Sequence, residues 1–109
     1  LKREALADLR SATARHAGAL GRPAPAVRLT DARTRWGSCT PATASIRYSW
    51  RLVLAPAEVL DYVAAHEVAH VVEANHSPAF WAVVQRLYGD PAKARAWLRA
   101  QGAALHAVG

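Results

Sequence analysis

The sequence predicts an α+β fold, with about four helices and a small antiparallel sheet packed on one long helix. Three observations carry that expectation. The stretch from Pro56 to His76, PAEVLDYVAAHEVAHVVEANH, is apolar at helical spacing. Residues 24–54 instead alternate apolar and polar side chains, the period of strands that bury one face. Glycine, proline and capping residues then punctuate the rest into helix-sized pieces without repeats or a low-complexity linker. With 109 residues, 52% of them apolar, and four tryptophans, the chain 1–109 reads as a single packed domain.

Each element has its own signal. Leu6, Leu9, Ala12, Thr13, His16 and Leu20 fall at helical spacing, so a first helix covers Leu1 to Leu20 and Gly21-Arg22-Pro23 ends it. His16 is expected at the surface or the edge of the core, without a role. Strands are expected near 26–31, 34–39 and 45–52, the last two joined by the turn CTPATAS. On the third strand Arg47 and Arg51 share the face opposite Tyr48 and Trp50, which predicts a basic, solvated sheet face. The long helix follows. Asn75 suits a left-handed residue after its end, and Ser77-Pro78 suits the cap and first position of a new helix. That helix runs to Tyr88 and is closed by Gly89. Asp90-Pro91 opens a last helix through about Gln101, leaving His106 in a frayed tail.

Composition excludes some classes of function. No apolar run approaches the roughly eighteen residues of a membrane span, and no signal-peptide pattern opens the chain. The one cysteine, Cys39, allows no internal disulfide and suits a reducing, cytoplasmic setting. It reads either as a thiolate ligand or switch, or as a small buried residue at a strand end. The net charge of +6 comes mostly from arginine and points to acidic partners, nucleic acid or an acidic peptide, or to a solvated arginine-rich surface.

Inside the long helix stands His66-Glu67-Val68-Ala69-His70, the pattern H-E-x-x-H. Residues four apart on a helix project from one face, one turn apart, so two imidazoles can grip one ion about 2 Å from each ring nitrogen. Glu67 lies about 100° round the helix, where its carboxylate reaches water at the metal without binding the metal. Val59, Val63, Val71 and Val72 make this helix apolar enough to be buried, and a buried helix carries such polar groups only with a partner. His76 is the expected third ligand. Six residues beyond His70 is about 240° further round, so the chain must turn between them. Glu73 is the rival ligand, on nearly the azimuth of His66 but two turns away.

These residues, with Arg35-Trp36-Gly37-Ser38-Cys39, IRYSWRLVL from Ile46 to Leu54, Pro56, Asp61-Tyr62-Val63, Asn75-His76-Ser77 and Phe80-Trp81, give the chain its resemblance. It resembles the YgjP-like metallopeptidase family, which is similar to the SprT-like and WLM zinc peptidases. The resemblance covers about residues 1 to 100. It implies a minimal zincin-like metallopeptidase domain with one zinc ion on His66, His70 and His76, Glu67 as general base, and a peptide or protein substrate. It also implies an N-terminal β-rich region that this chain lacks, and the chain opens at Leu1 without any methionine, so a C-terminal fragment is expected.

The block Arg35, Trp36, Gly37 and Ser38 resembles the edge strand along which zincins bind extended peptide, by strand addition. The other reading makes Trp36 ordinary core and Gly37 a bulge. Tyr48, Tyr62, Arg35 and Ser38 are all open as donors to the polarised carbonyl. Three neutral imidazoles leave one zinc position free, which suits metal-assisted hydrolysis rather than a structural site. The alternative function is a nucleic-acid or protein binding module with structural zinc. That would need a fourth protein ligand, for which Cys39 is the available cysteine.

Overall fold

The computed structural model describes residues 2–108. Leu1, where the expected first helix begins, lies outside them, as does Gly109. In order come helix α1 (Lys2–Ala19), strands β1 (Ala26–Thr30), β2 (Gly37–Thr40) and β3 (Ser45–Ser49), then helices α2 (Ala57–Val72), α3 (Pro78–Leu87) and α4 (Ala92–His106). The fold is α+β with four helices, as expected. No helix among the described residues is long and apolar enough to cross a membrane.

Helix α2 is the axis of the molecule. Its buried residues include Val59, Leu60, Tyr62, Val63, Val68 and three alanines, Ala64, Ala65 and Ala69, so little of its circumference meets solvent. The alanines keep the helix thin, which lets neighbouring backbones approach. Helix α1 lays Ala5, Leu9, Ala12 and Thr13 into the same core, with Ile46 and Tyr48 of β3 and Phe80 and Val84 of α3. Each fully buried Leu, Ile or Phe contributes about 1.5–3 kcal/mol relative to an exposed one. Two hydroxyls that enter the core satisfy each other: Thr13 and Tyr48 share a hydrogen bond of 2.9 Å. His16 is buried too, 3.0 Å from the Asp61 carboxylate, and not at the surface.

The helix boundaries follow the local chemistry. Gly21, at φ 68°, ends α1 with the Arg22 amide donating back to the Ala17 carbonyl at 2.9 Å. Ser77 caps α3 by accepting from the Phe80 amide at 3.3 Å. Gly89, at φ 108°, separates α3 from α4. Helix α4 continues to His106, beyond the expected end near Gln101.

The sheet corrects the expectation of antiparallel pairing throughout. Its order is β1-β3-β2, with β2 and β3 an antiparallel hairpin but β1 parallel to β3. The reason is the path of residues 31–36, which carry the chain across the end of β3. Ser49 donates its amide to the Trp36 carbonyl at 2.8 Å and its hydroxyl to the Ala32 carbonyl at 3.3 Å. The indole of Trp50 donates to Asp31 at 2.7 Å.

That crossing also shortens two expected strands. Residues 34–36 lie outside β2. At Ser49 the third strand stops, because the Ser49 side chain accepts from the Arg51 amide and starts a 3-10 turn, Trp50–Leu54. Arg47 and Arg51 therefore do not share a solvated face. Arg47 is exposed, whereas Arg51 is 1% exposed under the crossing segment. Its guanidinium donates to the carbonyls of Val108 at 2.7 Å and Asp31 at 3.3 Å, and pairs with the Asp31 carboxylate at 2.9 Å. The expected basic sheet face loses Arg51 to the interior.

Candidate metal centre

Helix α2 presents His66 and His70 one turn apart on its outward face, both half-buried. The helix ends at Val72, where Glu73 turns to an extended conformation (φ −136°, ψ 105°). Asn75 is not in the left-handed region expected of it: among described non-glycine residues only Ala44 has positive φ. The reversal runs instead through extended backbone at Glu73 and at the Ser77 cap, with a bend at Asn75. It returns His76 to the outward face of α2, opposite both histidines.

The three Nε2 atoms converge. His70 Nε2 lies 3.1 Å from His76 Nε2, which lies 3.3 Å from His66 Nε2. Among the described residues these three are the one group of His, Cys, Asp or Glu whose ligand atoms all lie within 4.8 Å of one another. The Glu73 carboxylate and Cys39 thiol are outside it. Phe80 is the floor beneath the imidazoles, with ring centroids 4.9, 4.5 and 5.0 Å from those of His66, His70 and His76.

Their tautomers suit a metal. His70 Nδ1 faces the Glu73 carbonyl at 3.1 Å, and a carbonyl only accepts, so Nδ1 carries the proton. In the neutral ring Nε2 then has a free lone pair, aimed at His76. His66 Nδ1 faces the Tyr62 hydroxyl at 3.2 Å, which can hold its proton in the same way. Burial, then the neighbouring His70 and His76 charges, push the His66 pKa down to about 4, and burial lowers that of His70. Neutral rings with lone pairs directed at one point repel one another unless a cation sits among them. The donor set fits a metal ion.

Glu67 stands on the adjoining face, 6% exposed. Burial raises its pKa to about 7, against the pull of Arg35. Its side chain lies against the backbone of β2 at Gly37, where a Cβ would stand 3.0 Å from Glu67 Cγ and 3.1 Å from Oε2. The missing side chain at Gly37 thus makes room for the carboxylate. The space beside Gly37 is thus filled from within, by Glu67.

Two hollows meet at Glu67. One, of about 350 Å³, runs from Gly37, Ser38 and Cys39 to the three histidines. The other, of about 340 Å³, lies between Trp36, Tyr62 and the Arg95–Arg99 turn of α4. The expected substrate block is therefore at the cleft: Trp36, Gly37 and Ser38 line it, and Arg35 is exposed beside it with its charge felt at Glu67. Trp36 is held in place by α4, stacked on His106 with ring centroids 3.8 Å apart and its indole edge 3.6 Å from the Cβ position of Gly102. His106 is therefore a packed residue and not part of a frayed tail. Tyr48 is wholly buried with its hydroxyl bonded to Thr13, which removes it as a donor to substrate. Cys39 is half-buried, and burial followed by the Glu67 charge pushes its thiol up to about 11.

Arg95 and Arg99 went unassigned in the sequence, and Tyr62 was considered there only as a donor to the substrate carbonyl. Tyr62 holds His66, and its position one turn earlier on α2 was a usable signal. Arg95 and Arg99 come from α4, and nothing local to them indicates the cleft.

A family model described as YgjP-like, metallopeptidase domain, matches residues 1–101. The chain belongs to the YgjP-like metallopeptidase family. Membership makes it a metal-dependent peptidase domain, with a metal ion as cofactor and a peptide or protein as substrate. No curated protein and no solved structure shows a match.

Proposed function

We propose that this YgjP-like domain is a zinc metallopeptidase in which His66, His70 and His76 hold the ion and Glu67 is the general base. The observation that carries this reading is the convergence of three imidazole Nε2 atoms beside one buried carboxylate. A zinc ion bound there supplies Lewis acidity, polarising a carbonyl and making water acidic enough to lose a proton near neutral pH.

The chain's own residues supply the rest. Tyr62 and the Glu73 carbonyl hold the Nδ1 protons of His66 and His70, which fixes both rings with Nε2 towards the ion. Glu67, set by the space at Gly37, takes the proton from attacking water and returns it to the leaving amine. The edge of β2 away from β3 has no strand partner among the described residues, so an extended peptide can pair with it across the cleft. Arg35, Trp36, Gly37 and Ser38 lie along that path. With Tyr48 removed and Tyr62 committed to His66, Arg35 and Ser38 remain as side-chain donors for the polarised carbonyl.

A binding module with structural zinc has no comparable support. Its fourth ligand would be Cys39, which lies outside the converging group. The inward turn of Arg51 likewise removes one of the two arginines expected on a basic sheet face for nucleic acid.

Digestion of a denatured protein by the zinc-reconstituted chain tests the proposal. Glu67→Gln should lower the rate by about 10²–10⁴-fold, the usual contribution of a positioned base, while zinc content stays at one per chain. Undiminished hydrolysis, or zinc lost with the glutamate, contradicts the assignment.

A further inference from the structure

The α4 wall of the cleft takes no part in the chemistry above, yet it carries two cations. Building on the peptidase reading, we propose that the hollow beside Arg95 and Arg99 is a subsite for a carboxylate on the substrate, next to the bond that is cut. The ligand is either an aspartate or glutamate side chain or the C-terminal carboxylate of a peptide.

Arg95 and Arg99 are four apart on α4, hence on one face and one turn apart. Leu98 completes the wall, and Trp36, Tyr62 and Val63 close the hollow around them. The volume of about 340 Å³ suits one side chain. Among the described residues neither guanidinium has an ion-pair partner, since the pairs present join Arg15 and His16 to Asp61 and Arg51 to Asp31. Glu67 is the one acidic residue lining the hollow, and it stands at the end shared with the metal site.

The orientation of Arg95 adds to this. Its guanidinium lies over the Trp81 ring, 4.7 Å from the centroid. Stacking occupies the flat face and leaves the edge N–H groups for a planar, bidentate partner, which a carboxylate is. Trp81 also borders His66 and His76, so the stack ties the cation's position to the metal corner. The hollow on the other side of Glu67 has no such groups: beyond Glu67 and the histidines it is lined by Gly37, Ser38, Cys39, Pro41 and Ala74. The two sides of the scissile bond therefore meet different charge.

The test uses the zinc-reconstituted Glu67→Gln chain, which binds peptides without turning them over. Three short labelled peptides are titrated by anisotropy: a capped peptide with one glutamate moved along its length, the same peptide with glutamine, and a neutral peptide with a free C-terminal carboxylate. A carboxylate should bind about tenfold tighter than its neutral counterpart, the size of one charge-assisted contact at a partly exposed site. Tighter binding of the glutamate peptide assigns the subsite to a side chain; tighter binding of the free terminus assigns it to a chain end. In Arg95→Gln/Arg99→Gln the preference should fall to about onefold, with helix content unchanged by circular dichroism. In Arg95→Lys/Arg99→Lys a part of it should survive. Equal affinity for glutamate and glutamine peptides and for the free terminus, or a preference that outlives the glutamine variant, overturns the subsite. Cleavage by the parent chain is scored separately. A chain that cleaves without this preference loses the subsite alone, one that discriminates without cleaving loses the peptidase assignment, and one that does neither loses both.

Discussion

Arg51 and Glu67 are both buried charged residues, and the two regions that hold them treat them in opposite ways. Arg51, 1% exposed beneath the crossing segment, meets two carbonyls and a carboxylate, and stacks 4.7 Å over Trp50. Glu67, 6% exposed beside the histidines, has no ion-pair partner among the described residues and a pKa displaced to about 7. Next to it three imidazoles turn their lone pairs towards one another. Compensated polar groups mark where the chain holds itself together. Uncompensated ones mark where it is ready to hold something else.

The largest effect that separates the two regions is on stability. Arg51→Ala empties a core position and orphans the Asp31 and Val108 carbonyls, so it should cost about 4 kcal/mol in urea unfolding. His76→Ala, at an exposed position, should cost the metal-free protein less than about 0.5 kcal/mol. Similar losses in both variants would erase the distinction.

Glu67 should show its strain through pH. Its folded pKa of about 7 lies above the ordinary 4.5, so the folded state keeps a proton that the unfolded chain has released. The contribution of Glu67 to the stability of the metal-free protein is therefore full below pH 4.5 and lost as pH rises through 7, while the lowered pKa values of His66 and His70 act in the opposite sense. The loss is on the order of 3 kcal/mol. Glu67→Gln should flatten that slope and raise the melting temperature at pH 8. A parent chain whose stability follows that of Glu67→Gln across this interval would show the carboxylate to be well compensated after all.

A smaller and more local change sharpens the same point. Gly37→Ala places a methyl group 3.0 Å from Glu67 Cγ, so the carboxylate must move. Displacing the base by about 1 Å should lower kcat about a hundredfold with zinc content unchanged. An active Gly37→Ala chain would free Glu67 from dependence on that space.

The same contrast explains what could be read from the sequence. His66, Glu67, His70 and His76 lie within one helix and the turn after it, so helical geometry and the Ser77-Pro78 start signal were enough to bring them together. The Gly21 end of α1 and the Ser77 cap of α3 were legible for the same local reason. The crossing segment was not. Tyr48, Trp50 and Leu52 alternate as strand residues would, and only contacts from Asp31 and from Val108, 57 positions away, turn Arg51 inward. The parallel pairing of β1 depends on that same crossing. His106 likewise reads as a tail residue until Trp36 stacks on it, and the α4 arginines face the cleft only because α4 packs beside α2.

The most direct test of the account is anomalous diffraction at the zinc edge from crystals of the zinc-reconstituted chain. It should give one strong peak about 2.0–2.1 Å from the Nε2 atoms of His66, His70 and His76, with Glu67 near it but not bound. A peak elsewhere, a Glu73 carboxylate in place of His76, or Cys39 Sγ about 2.3 Å from the ion would contradict it.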